Sequence, residues 1–324
     1  MSRKILRSLW VVLALLAVST AHAQVRKPYR VGLIHEGGPY NSAVEGLKDG
    51  LRSAGLEPGK DVIFEVRDLQ GDRSAIDQAA RSLEGANVSV LCTFATTVTV
   101  RAKAATKQVP IVFAIGADAA GEGLVDSPAK PGGRLTGVQR LSIDFTGKRL
   151  EILKEMLPNL HTAVTFYDPG NRVAAQAAKL AQEASRKLKI ELKERPVASV
   201  AELQRAFNAL DRKEADAFLY VSDAMVTSQS RFIIDAARAK RLPTMFSEPE
   251  LVTEGALAGY GVSLYNVGQL MAKYVQRILT GANPKDLPVE SFSTYELGIN
   301  LKTARELGIT IPQKVLFRAD KVIE

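Results

Sequence analysis

The stretch YRVGLIHEGGPYNSAVEGLKDGLRSAGLEPGKDVIFEVR, Tyr29 to Arg67, sets the pattern that the rest of the chain repeats. A strand-length apolar run, Tyr29–His35, meets the turn residues Gly37, Gly38 and Pro39. Apolar positions at helical spacing then cover Asn41–Ala54, and a second strand-length run covers Asp61–Arg67. Two strands joined through a helix of this length pair in parallel by a crossover, and a parallel sheet needs both faces covered. The series continues with helix Arg73–Glu84, strand Val88–Phe94, helix Thr96–Thr106 and strand Ile111–Ile115, which completes one doubly wound unit.

After the Gly/Pro-rich segment 127–133, residues Leu135–Gln139 read as extended and the alternation begins again. Helix Asp144–Leu157 leads to strand Thr162–Tyr167, helix Asn171–Leu188, strand Ile190–Arg195, helix Val200–Leu210, strand Ala217–Val221, helix Val226–Lys240 and strand Pro243–Phe246. A third section, with Ala256–Tyr260, helix Leu264–Thr280, a strand near Tyr295–Ile299 and helix Leu301–Leu307, is too short to stand alone and is expected to return to the two earlier sheets. The expected class is α/β: two doubly wound parallel-sheet lobes joined by a multi-strand hinge, with a ligand cleft at the carboxyl ends of the strands.

The N-terminus predicts export. Arg3, Lys4 and Arg7 precede the apolar run Leu9–Val18, and Ala21-His22-Ala23 forms a small-x-small cleavage site, so a mature chain starting at Gln24 is expected in the periplasm. The apolar run is too short to span a bilayer, which needs about 20 residues. The lone cysteine, Cys92, leaves no internal disulfide and no lipid-bearing cysteine after the cleavage site. Cleavage removes three positive charges from a formal net charge of +8, and the remaining charges of both signs are interspersed, which argues against a nucleic-acid footprint.

Few residues offer catalysis. The histidines, His22, His35 and His161, have no metal-ligand spacing, and no Gly-x-Ser-x-Gly elbow, Walker loop or Gly-x-Gly-x-x-Gly fingerprint occurs, so no metal and no cofactor is expected. Polar and aromatic residues collect instead at strand ends. The first unit presents Glu36, Tyr40, Asn41, Phe94, Thr96, Thr97, Gly116 and Asp118; the second presents Tyr167, Asn171, Ser222, Asp223, Phe246, Glu248 and Tyr260. Thr96 and Thr97 at a helix start suit a carboxylate, or equally a plain N-cap. Asp118 and Glu36 suit an ammonium, and Tyr40, Phe94, Tyr167, Phe246 and Tyr260 suit either core packing or a flat apolar group.

Three stretches resemble one family. IVFAIGADAAGEGLVDSPAKPGGRLTGV (Ile111–Val138), LPTMFSEPELVTEGALAGYGVSLYNVGQ (Leu242–Gln269) and YELGINLKTARELGITIP (Tyr295–Pro312) are similar to the substrate-binding proteins of ATP-binding-cassette importers whose characterised members bind tryptophan and other aromatic amino acids. The likeness covers about residues 28 to 322. It departs where Asp118-Ala119 replaces Asp-Pro and where Gly132-Gly133-Arg134 replaces Gly-Gly-Asn. The resemblance implies a type I periplasmic-binding-protein fold with three crossovers, lobe 1 being residues 28–141 plus 262–293 and lobe 2 residues 142–261 plus 294–324. It also implies closure on a small-molecule ligand, an amino acid or related carboxylate, and delivery to an inner-membrane permease by a monomeric receptor. Two alternatives stand beside this: a ligand sensor for a chemoreceptor or sensor kinase, and an exported α/β enzyme using Glu36 and Asp118 as a carboxylate pair.

Overall fold

The computed structural model describes residues 27–324, so the predicted signal peptide and its cleavage site lie outside the described residues. Two sheets organise the chain. The first holds β1 (Tyr29–His35), β2 (Val62–Asp68), β3 (Val90–Phe94), β4 (Ile111–Ile115), β5 (Leu135–Gln139) and the short β11 (Glu290–Ser291), in the order β11-β5-β4-β3-β1-β2. All its pairs are parallel. Every residue of β3, β4 and β5 is buried, the continuous apolar pattern that a sheet covered on both faces requires.

The second sheet holds β6 (Thr162–Tyr167), β7 (Glu191–Pro196), β8 (Ala217–Leu219), β9 (Thr244–Phe246), β10 (Ala258–Gly261), β12 (Glu296–Asn300) and β13 (Lys321–Ile323), in the order β13-β12-β10-β9-β8-β6-β7. The last section thus returns to both sheets. One pair breaks the parallel expectation: β12 runs antiparallel to β10, and β13, parallel to β12, shares its reversed direction. The short β11 and β13 are invisible to sequence periodicity, since two or three residues carry no period.

The helices are α1 (Tyr40–Ser53), α2 (Ile76–Gly85), α3 (Thr96–Ala105), α4 (Thr146–Met156), α5 (Arg172–Lys187), α6 (Val200–Ala209), α7 (Ala224–Ser228), α8 (Ser230–Ala239), α9 (Leu264–Leu279), α10 (Leu301–Leu307) and α11 (Gln313–Leu316). The single helix expected over Val226–Lys240 is two helices. Asp223 accepts from the N–H groups of Met225 (2.9 Å) and Val226 (3.4 Å), which starts α7 earlier, and the chain bends at Gln229 before α8. Among the described residues no helix is long and apolar enough to cross a membrane.

The chain crosses between the sheets three times, after β5, after β10 and after β11. What returns it the first time is α9, which lies on α1 with backbones almost touching. A Cβ added at Gly46 would sit 2.0 Å from the Tyr265 carbonyl oxygen, and one at Gly268 would sit 1.9 Å from that of Ala43. Neither backbone can yield without moving a whole helix, so Gly46→Ala is expected to cost about 1–3 kcal/mol by overpacking. Gly85→Ala, in α2 with open space around it, is expected to be neutral or slightly stabilising. Urea denaturation of the two variants checks this; equal stabilities would show that the α1–α9 contact has slack.

Candidate functional site

Strand ends of both sheets converge on one small cavity of ≈ 30 Å³, room for one or two waters. Tyr40, Thr96, Thr97 and Gly116 line it from the first sheet, and Asn171, Ser222, Asp223 and Glu248 from the second. Those eight come together as the sequence reading placed them. Arg140 and Ser142, on the first crossing, complete the wall with Tyr220 and Ser247.

The first-sheet wall is built around a backbone exception. Ala95 holds φ of 84°, a conformation that costs a non-glycine residue about 1–3 kcal/mol. Its N–H donates to the Ala114 carbonyl (2.9 Å) and its carbonyl accepts from the Thr99 hydroxyl (2.9 Å), so the surroundings over-determine it. The twist starts α3 at the cavity with no side-chain cap. Thr96 is therefore not the N-cap; its hydroxyl accepts from the Gly116 N–H (3.3 Å). The Thr97 hydroxyl donates across the cleft to Asn171 Oδ1 (3.3 Å), and Asn171 also caps α5.

The second-sheet wall is acidic and buried. Glu248 accepts from the Ser247 hydroxyl (2.6 Å) at Oε1, while its buried Oε2 accepts no hydrogen bond. Burial raises its carboxyl, against the opposing pull of the Ser247 hydrogen bond and of Arg140 and Arg149. Arg140 is buried too, with Nε unpartnered. Behind them Arg149 is fully buried, donating from Nε to the Tyr260 carbonyl (2.9 Å) and from Nη2 to that of Ser142 (3.0 Å). Tyr220 accepts from the Asp223 N–H (2.9 Å), and Ser222 shares a hydrogen bond with Ser142 (3.0 Å).

Seven expected site residues lie off this cavity. Asp118 is exposed and accepts from the Gly121 N–H of its own loop (2.7 Å), so the acids facing the cavity are Asp223 and Glu248. Asn41 is exposed on α1. Phe94 packs edge-on to His35 at 6.3 Å, and Phe246 belongs to an aromatic core with Phe218 (5.5 Å) and Tyr220 (6.0 Å). Tyr167 donates its hydroxyl to Glu194 (2.8 Å). Tyr260 stands beside Phe145 and Tyr295 and borders a separate hollow of ≈ 630 Å³ between α4 and α5. Glu36 is buried beside Arg73, whose Nε lies 3.7 Å from Oε2. Glu36 and Asp118 therefore answer to different partners. Cys92 is buried in β3, and burial pushes its thiol up.

Arg140 and Tyr220 are absent from the sequence reading for local reasons. Arg140 directly follows the extended run 135–139 with no turn residue to mark a loop, and the apolar run of β8 continues to Val221 although the strand stops at Leu219, which leaves the buried Tyr220 to line the cavity.

Two doubly wound sheets crossed three times, with one polar cavity between their carboxyl edges, define a bilobed binding protein of the type I periplasmic class. The family model described as ABC transporter substrate binding protein matches residues 31–323, and the chain belongs to that family. It is 25% identical over 270 residues to a tyrosine-binding protein of Clostridioides difficile, covering 83% of this chain and 77% of the relative. A conserved domain protein from Vibrio cholerae aligns with a TM-score of 0.80 at 33% identity, covering 91% of this chain and 100% of that one. A domain from Streptococcus pneumonia in complex with L-Trp aligns with a TM-score of 0.80 at 26% identity, covering 92% and 100%.

Glu36, buried off the cavity, gives the protein's stability a pH signature. Burial lifts its carboxyl from 4.5 to about 7 despite the neighbouring Arg73 guanidinium. The folded protein then holds the proton more tightly than the unfolded chain does. The associated stability is complete below about 4.5 and is lost as the pH rises through about 7, a fall of about 3 kcal/mol. In Glu36→Gln that fall is expected to flatten, leaving the variant the more stable protein at pH 8. Denaturation midpoints from pH 4 to 8 test this, and parallel curves for the two proteins would count against it.

Proposed function

We propose that this protein is the extracytoplasmic receptor of an ABC importer and captures an amino acid, aromatic or a related carboxylate, between its lobes by hinge closure. The working division is residues 28–141 plus 262–293 against residues 142–261 plus 294–324, for a soluble monomer beginning at Gln24. The observation that carries the reading is the pairing of opposite unmet charges across one cavity. Arg140 and the uncapped start of α3 offer donors for a carboxylate, and Glu248, whose Oε2 is unmet, offers the acceptor for an ammonium. A zwitterion satisfies both at once. The relatives that bind tyrosine or carry L-Trp support the amino-acid class.

A cavity of ≈ 30 Å³ admits no amino acid, so capture requires the lobes to part and close again. The three crossings are the natural pivots. Leu141 at the first of them holds φ of 46°, and the Tyr295 hydroxyl of the third donates to the Arg140 carbonyl of the first (2.8 Å).

The only tryptophan is Trp10, so the chain from Gln24 has none and the emission of added L-tryptophan reports its own binding. Saturable binding of L-tryptophan or L-tyrosine is expected, with tryptamine, which lacks the carboxylate, and indolepropionate, which lacks the ammonium, much weaker. Glu248→Gln should weaken the amino acid about ten- to hundredfold, the worth of one charge-assisted hydrogen bond, and affect indolepropionate far less. Fluorescence titration and calorimetry measure both. If both analogues bound as well as the amino acid, the zwitterion reading would be wrong.

A further inference from the structure

Arg73 stands at the rim of the cleft, outside the cavity, and is the cation on which the acids of both sheets meet. It opens the short turn Arg73–Ala75 after β2, and Asp72 caps that turn by accepting from the Ser74 N–H (2.9 Å). Its carbonyl is held by Arg101 of α3, which also pairs with Asp77 (2.7 Å). The base of the side chain is thus fixed to the first unit. Its guanidinium crosses to the second, where Nη2 donates to Asp223 Oδ1 (2.7 Å) and Nη1 pairs with Asp168, while Nε remains near Glu36. The two acceptors are pre-assembled, since Asp223 Oδ2 accepts the Asp168 N–H (2.8 Å) and Asp223 Oδ1 also caps α7.

Around this pair the rims of the units touch through surfaces made for close approach. A Cβ at Gly38 would lie 2.7 Å from the Thr227 carbonyl oxygen, and one at Gly71 would lie 2.6 Å from Ser228 Oγ. Arg73 is mostly buried there, unlike the exposed Arg172 that pairs with Glu122 elsewhere across the cleft. Removing one partner of a charge pair shielded from water costs far more than removing one of an exposed pair, because the other charge is left buried and unmatched. Parting the units would leave Asp168 and Asp223 adjacent with no cation between them.

We propose that Arg73 is an interlobe latch that binds Asp168 and Asp223 and so sets the balance between the closed and open forms. The proposal rests on the hinge-closure reading above. Because the cavity must open to admit or release a ligand, the latch slows both steps. Asp223 alone belongs to both latch and cavity wall, so ligand and latch meet at one carboxylate.

The test compares the wild-type protein, Arg73→Met and Asp168→Asn. The last keeps Oδ1 as acceptor for the Gly170 N–H and leaves Glu36 and Asp223 paired with Arg73, so its fold is safeguarded if Arg73→Met proves unstable. Small-angle scattering without added ligand is expected to give a larger radius of gyration for both variants than for the wild type. Stopped-flow release of L-tryptophan should quicken at least tenfold in Arg73→Met and several-fold in Asp168→Asn, with Arg73→Lys recovering part of the effect. A radius that responds to L-tryptophan or L-tyrosine equally in all the proteins overturns the latch and leaves hinge closure standing. A radius that neither amino acid nor any substitution changes in any protein overturns both.

Discussion

The contact between α1 and α9 is the constraint from which the rest of the architecture descends. α9 follows β10 of the second sheet, yet its packing partner covers the first, and the glycine-mediated approach of the two helices fixes it there. The chain has to cross between the sheets to place it and cross again to reach β12. Three crossings tie the units at one edge, and that tether turns their carboxyl edges toward each other. The cavity is a product of the tether as much as of its own residues.

Bringing strand ends face to face concentrates charge in a small dry space. Glu36, Asp223, Glu248, Arg140 and Arg149 are all buried at or around the cleft. Desolvating such groups is costly, and each is held by partners that recover only part of the loss. Arg149 is anchored by carbonyls of the first crossing and of β10, so it braces the pivot region. Arg140 and Glu248, like Glu36 and Arg149, keep unmatched polar atoms, and of these four Arg140 and Glu248 line the cavity. Arg73 supplies the counter-charge where the acids of both units meet at the rim.

Much of the fold was legible because it rests on local physics. β4, β5, β6 and α10 fall on the residues read from periodicity, since a buried parallel strand and an amphipathic helix write their own repeat into the chain. The site was legible in part for the same reason: residues just past a parallel strand must face the cleft edge, which located Thr96, Gly116, Ser222 and Glu248. What failed was the direction of side chains within those loops. Asp118 turns to its own backbone and Phe246 turns into the core, choices made by neighbours distant in sequence.

By itself, then, the sequence determined the alternation of strands and helices, the division into two doubly wound units and the strand-end loops that meet at the cavity, because hydrophobic period and turn chemistry act over a few residues. Only the tertiary structure decided that β12 runs antiparallel, that Arg140 and Tyr220 join the cavity, and that Arg73 reaches Asp168, 95 residues away, and Asp223, 150 away. Those outcomes depend on how two sheets are held against each other, and the energy of a buried charge is set by everything that surrounds it in space.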